Sequence, residues 1–283
     1  MDYTWYIDWD WSSNANSPRP GLPNKLFVMR HSERIDKVFG KDWTYRAFND
    51  EGRYHRFDLN MPTKLFRRDA EDYLLDSPIT RAGIFVAERI GYALKVNKTI
   101  PDIIYTSPSL RCIQTATAVS CGMGRPDIQL RIEPGLFQKT WVHNRIPLFM
   151  SPNELEEQGF NIDASYVPIL RRHGLCEKCE TIKSYSYRVH RTLGQILRRR
   201  ENARTAQIVL LVGHATTVDL TASYFMDRIG TKNNYKRCVP YCAFVSFERR
   251  YDGWMRTNML PPMTYNGFCS QPDFEFLNRR PYV

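Results

Sequence analysis

Apolar residues in this chain come in two spacings. Leu26, Phe27, Val28 and Met29 form one continuous run, led by the Pro/Gly-rich stretch 18–23, and read as a buried strand over 25–29. The run 207–212 is the most strongly apolar of the chain, and 102–106 and the alternating 129–133 give two more strands. Between them the spacing becomes helical. Thr80 is suited to an N-cap, and Ile84, Ala87, Ile90 and Leu94 follow it as one stripe. Ser107-Pro108-Ser109 opens another helix, and Val189, Leu193, Ile196 and Leu197 mark a third. Two further strands, 243–247 and 254–257, flank Asp252-Gly253, a hairpin signal. Strands alternating with helices predict an α/β fold whose sheet is covered on both faces.

Two stretches, about 35–75 and 135–185, show no sustained period. Loops of this length are unusual unless functional, so both read as insertions beside a site. The second holds one clear element, the capping box Ser151-Pro152-Asn153-Glu154. Tyr45, Phe48, Tyr54, Phe57 and Trp141 are expected to supply aromatic walls for a ligand. Residues 1–24, rich in Trp, Tyr, Asn and Pro, read as an irregular arm, and 25–283 as one domain.

Composition narrows the partners. The 283 residues carry 40 Lys and Arg against 30 Asp and Glu, a formal charge of +10, which favours an anionic ligand. The basic residues are dispersed, with only short runs at 171–172 and 198–200, so anionic substrates are expected and nucleic acid is not. Seven cysteines lie without a framework, and the start is acidic and aromatic rather than a basic leader. A reducing, cytoplasmic setting is therefore expected. No apolar stretch approaches the ~20 residues that span a bilayer, so no membrane is expected.

The candidate chemistry sits where the strands stop. The first ends in Arg30-His31-Ser32-Glu33-Arg34, and open α/β sheets bind ligands beyond the carboxyl ends of their strands. Arginine forks match phosphate oxygens, and their charge disfavours protonation of His31. A neutral imidazole beside a bound phosphate is a competent nucleophile. The run 207–212 ends in Gly213-His214, so two histidines are placed to meet at one sheet edge. Arg111 falls in the first turn of its helix, where the macrodipole disfavours a cation, and a broken local rule marks a functional position. Glu133 ends a third strand and offers a proton for a leaving oxygen. Singly, each residue also fits a plain role as a basic loop, a satisfied core histidine or a solvated carboxylate. His173-x-x-Cys176-x-x-Cys179 with His190 has metal-ligand types, but a single Cys-x-x-Cys in an irregular loop is a weak zinc signal.

The motif Arg30-His31-Ser32-Glu33-Arg34 resembles the signature of the histidine phosphatase (phosphoglycerate mutase-like) superfamily. The following Ile35-Asp36-Lys37-Val38-Phe39-Gly40-Lys41 resembles its branch of TULA proteins, suppressors of T-cell receptor signalling, and insect ecdysteroid-phosphate phosphatases. The stretches 107–116, 131–137, 160–163 and 212–217 are similar in the same order. The resemblance implies a three-layer α/β/α sandwich with a mostly parallel central sheet. It implies a phosphomonoester hydrolase acting through a phosphohistidine, on a phosphotyrosine protein or a bulky hydrophobic phosphate ester. His31 would be the nucleophile and Glu133 the general acid; Arg30, Arg34, Arg111 and His214 would form the phosphate pocket. It implies no metal and no cofactor, and a homodimer as a state its TULA branch tends to adopt. The ubiquitin-binding and SH3 modules of the vertebrate proteins are not expected within these 283 residues. Ser32 and Ala215 stand where the family has glycine and are expected to crowd their turns; Gln138 replaces a frequent carboxylate. A non-catalytic phospholigand-binding module and a phosphoglycerate mutase are the alternatives.

Overall fold

The computed structural model describes residues 23–66, 68–140, 147–175, 180–199, 208–225, 239–251, 253–265 and 268–271. The expected N-terminal arm lies almost wholly outside them, as do Trp141, Cys176 and Cys179.

Six strands form one sheet in the order β3-β2-β4-β1-β5-β6: β1 (Lys25–Arg30), β2 (Ile103–Thr106), β3 (Leu130–Ile132), β4 (Ile208–Gly213), β5 (Phe244–Arg250) and β6 (Gly253–Thr257). The first four are mutually parallel, and β5 and β6 join antiparallel at one edge. The register of β1 on β4 pairs Arg30 with Gly213, which sets His31 and His214 one residue beyond matched strand ends. β7 (Thr264–Tyr265) and β8 (Phe268–Cys269) make a separate small pair.

Alternation divides the sheet's side chains between two cores. Phe27, Met29, Ile104, Leu210 and Val212 face one side; Leu26, Val28, Tyr105, Val209 and Leu211 face the other. The first is covered by α4 (Arg81–Val96) and α5 (Leu110–Met123) through Val86, Ala87, Ile90, Leu94, Ile113, Ala116 and Val119. The second is covered by α7 (Ile182–Arg198) and α8 (Ala215–Phe225) through Leu193, Ile196, Val218 and Ala222. This is the expected layered sandwich. Helices α4 and α5 meet almost backbone to backbone, since a Cβ on Gly91 would run into the Val119 carbonyl and one on Gly122 into that of Glu88. That contact fixes α5, the helix that carries Arg111, against its neighbour.

The helix starts follow their sequence signals. Thr80 caps α4 by accepting from the Gly83 N–H, and Ser151 and Glu154 form the full capping box of α6 (Pro152–Glu157). Thr181 caps α7, which therefore begins inside the stretch read as insertion. The stretch 35–75 is also more ordered than expected, with α1 (Ile35–Val38), α2 (Trp43–Ala47) and α3 (Asp72–Leu75). These helices are too short to register as a period. Their aromatics complete the first core rather than wall a ligand: Phe48 stacks on Tyr73 at 6.1 Å, Phe57 meets Phe39 at 5.5 Å, and Tyr54 donates to the Pro62 carbonyl. Tyr45 is largely exposed.

Candidate active site

Because β1 to β4 run parallel, their carboxyl ends share one edge. The backbone ties those ends together: the His31 N–H donates to the Gly213 carbonyl at 2.8 Å, Ser107 N–H to Val212 at 3.0 Å, and Glu133 N–H to Thr106 at 2.8 Å. The incoming end of β5 completes the group, the Arg30 N–H donating to the Ala243 carbonyl. Residues distant in sequence thus meet without any long loop having to find its place.

The two histidines meet at this edge. Their ring centroids are 5.5 Å apart at 71°, and each residue is only 3% exposed. His31 Nδ1 lies 2.8 Å from the Ser32 carbonyl. A carbonyl only accepts, so Nδ1 carries the hydrogen and Nε2 keeps its lone pair. His214 has the opposite tautomer. Arg111 Nη2, which only donates, lies 3.4 Å from His214 Nδ1, so Nε2 holds the proton and donates to Ser107 Oγ at 2.9 Å. Both imidazoles titrate well below 6.5; burial is the main cause, and the charge of Arg111 comes next for each.

Arg111 is completely buried. Its Nε and Nη1 have no hydrogen-bond partner among the described residues, and burial first, then Arg34, pulls its pKa down to about 10. Such donors are costly to leave unpaired, and a dianionic group set beside them would satisfy them. Arg34 grips Asp36 with two parallel bonds, Nε to Oδ1 at 2.8 Å and Nη2 to Oδ2 at 2.7 Å. Its charge still lowers the titration of His31, His214 and Arg111. Arg30 donates through Nη1 to the Val239 carbonyl and lies 4.2 Å over the Tyr241 ring, and its Nε has no hydrogen-bond partner among the described residues. Five of the six expected site residues therefore converge.

The sixth, Glu133, has a different set of partners. Glu133 sits at the end of β3, fully buried, but its carboxylate faces its own loops. Oε1 accepts from the Gly135 and Leu170 N–H groups at 2.9 and 3.1 Å, and Oε2 from the Tyr166 hydroxyl and Ile169 N–H at 2.6 and 2.7 Å. Four donors occupy the roughly four lone-pair sites of a carboxylate. In this arrangement Glu133 ties residues 166–170 to the strand edge. The strand-end position was legible, but the side chain's direction depends on a segment more than thirty residues away.

The crowding expected at Ser32 and Ala215 is corrected. Among the described residues only Lys98 and Cys242 combine a side chain with positive φ, so neither turn requires glycine. The Ser32 hydroxyl donates to the Gly83 carbonyl at 2.7 Å, and its N–H to Thr115 Oγ1 at 2.9 Å. The space exists because α4 has glycine at 83, where a Cβ would sit 3.1 Å from Ser32 Oγ. Ala215 is the first residue of α8. Gln138 offers its carbonyl to Arg188 at 3.4 Å.

Three supports escaped the sequence reading. Ser107 holds His214. Arg188 pairs twice with Glu180 and donates to the Gly135 and Phe137 carbonyls, clamping the loop after Glu133. Asp76 reaches Leu110 and Arg111. Its signal was a carboxylate ahead of a helix that Thr80 already caps. Of the metal-ligand spacing, His173 is exposed in a single 3₁₀ turn and His190 Nε2 lies 2.9 Å from the Leu220 carbonyl.

Comparison with known proteins agrees with this geometry. The family model of the histidine phosphatase superfamily (branch 1) matches residues 72–259. The ecdysteroid-phosphate phosphatase of Drosophila melanogaster is 35% identical over 239 residues, 81% of this chain and 31% of that protein. The chain belongs to the histidine phosphatase superfamily. Human ubiquitin-associated and SH3 domain-containing protein B is 36% identical over 243 residues, 81% of this chain and 36% of that protein. The chain thus spans about a third of the length of these relatives. Among solved structures, the ecdysone phosphate phosphatase of the silk moth Bombyx mori, in complex with tungstate, superposes with a TM-score of 0.75 at 28% identity, over 90% of this chain and 99% of that one. The histidine phosphatase fold accounts for the shared edge of strand ends, and among the described residues no helix is long and apolar enough to cross a membrane.

Proposed function

We propose that the chain is a phosphomonoester hydrolase working in two steps through a phosphohistidine at His31. The observation that carries this reading is the pairing of a lone-pair-bearing His31 Nε2 with a fully buried guanidinium, Arg111, whose Nε and Nη1 make no hydrogen bond among the described residues, Asp76 Oδ1 lying 3.9 Å from Nη1. In the first step Nε2 forms a bond to phosphorus as the ester P–O bond breaks, with Arg30, Arg34 and Arg111 balancing charge on the equatorial oxygens. His214, held by Ser107 and Arg111, has its ring edge-on to that of His31, 5.5 Å away. In the second step water breaks the P–N bond and releases inorganic phosphate. Since Glu133 is saturated, the leaving oxygen takes its proton from water. That favours esters whose leaving group is a weak base, such as the phenolate of a phosphotyrosine, and leaves bulky alkyl phosphates as slower substrates.

The similarity to two proteins named for ecdysteroid or ecdysone phosphate phosphatase activity supports the same chemistry. A single unit from residue 25 onward, a phosphorylated protein or small phosphate ester as ligand, and a homodimer are parts of this proposal. So is a cytoplasmic setting, which the free thiols Cys112, Cys121, Cys242 and Cys269 suit. The test is release of phosphate from an aryl phosphate by wild type and by His31→Ala. The expected result is turnover in the first and none in the second. Equal rates would remove His31 from the mechanism, and vanadate binding without turnover in wild type would make the chain a phospholigand-binding module.

A further inference from the structure

Helix α5 begins one residue before Arg111, yet its own N-cap side chain, that of Ser109, does not hold its start. The cap comes from a segment 34 residues earlier: Asp76 Oδ1 accepts the Leu110 N–H at 2.8 Å. The same oxygen lies 3.9 Å from Arg111 Nη1, and Oδ2 accepts from Arg68 Nη1 at 3.1 Å. Asp76 is 1% exposed. It is carried there by the strand-like contact of residue 34 with residue 79, and by Thr80 donating its N–H to the Glu33 carbonyl. The loop after the nucleophile and the loop that presents Asp76 are therefore one structure. Arg68 keeps Asp76 in place, donating also to the Leu148 carbonyl and lying 3.6 Å from Asp72.

We infer that Asp76 is a positioning residue that acts through Arg111, fixing both the turn that carries the guanidinium and the edge it presents to phosphate. This rests on the reading of Arg111 as a phosphate ligand. A buried arginine reaches its target only if its stem and backbone are both held. Here the backbone bond to Leu110 and the charge beside Nη1 come from one carboxylate. With Nη1 drawn toward Asp76, Nη2 is left facing His214, and the guanidinium plane is set before any ligand arrives.

The test separates this from a purely structural role by a double-mutant cycle. Asp76→Asn retains an acceptor for the Leu110 N–H, since asparagine caps helices as well as aspartate, but removes the charge. It is measured alone, with Arg111→Ala, and combined, reading kcat/KM on an aryl phosphate, Ki for orthovanadate, and the melting temperature. The expected result is a loss of about tenfold or more in kcat/KM with a parallel rise in Ki, and no further effect of Asp76→Asn once Arg111 is alanine. Effects that add to those of Arg111→Ala, or a lowered melting temperature with kcat/KM and Ki of the folded protein unchanged, overturn it. If Asp76→Asn does not fold, Asp76→Glu takes its place in the cycle, with the same outcomes; it keeps the charge and moves it by one methylene. A wild type that neither hydrolyses the ester nor binds vanadate contradicts the phosphate-pocket reading itself, and is thereby distinguishable from failure of the Asp76 inference.

Discussion

At the scale of single residues, the site is built from groups that burial forces to choose a state. His31 and His214 are neutral because an imidazolium there would face both desolvation and three arginine charges. The sign of the consequence is fixed. Both groups titrate below 6.5 when folded and near 6.5 when unfolded, so falling pH adds protons to the unfolded chain first. Stability is full above pH 6.5 and declines as pH falls beneath it. The acid limb of kcat/KM, which reports the free protein, should likewise lie below pH 6.5. A kcat/KM that halves at or above pH 6.5 would contradict the assignment of a neutral, arginine-flanked nucleophile. Residue identity at Arg30, His31, Arg34, Arg111 and His214 was legible in the sequence, because each stands at or near a strand end recognisable from its apolar run. The tautomers were not legible, since they depend on a backbone carbonyl at Ser32 and a serine at 107.

At the scale of elements, helices announced themselves where the cap was local, as at Thr80 and Ser151. Helix α5 was also legible, from Ser107-Pro108-Ser109, but the cap it borrows from Asp76 was not. Helices α1 to α3 were hidden because each lasts about one turn, too short for a repeat to be counted. Glu133 shows the same limit. Its place at the end of β3 could be read, but its partners Tyr166, Ile169 and Leu170 lie in a loop without period. Replacing it with glutamine puts an NH₂ where two donors now point, which should cost about 2–4 kcal/mol and lower the melting temperature. Because the carboxylate is occupied, activity on an aryl and on an alkyl phosphate should fall by the same factor. A much larger loss on the alkyl ester, whose leaving group needs a proton, would restore Glu133 as the general acid.

At the scale of the whole molecule, the +10 charge is the background for a site that concentrates cations at one sheet edge. The sandwich was readable because its strands and helices alternate, and parallel strands with crossovers place every carboxyl end together. Pattern gave the hairpin of β5 and β6 but not its place: β5 pairs antiparallel with β1, which brings Tyr241 to within 5.7 Å of the His31 ring. The whole account comes down to one covalent event, made possible by gathering strand ends from across the chain. It is tested most directly by rapid acid-free quenching of the protein turning over an aryl phosphate, followed by peptide mass spectrometry. The account predicts a transient phosphoryl group on His31 that is absent in His31→Ala. Turnover with no phosphorylated residue, or with the phosphoryl group on another side chain, would contradict it.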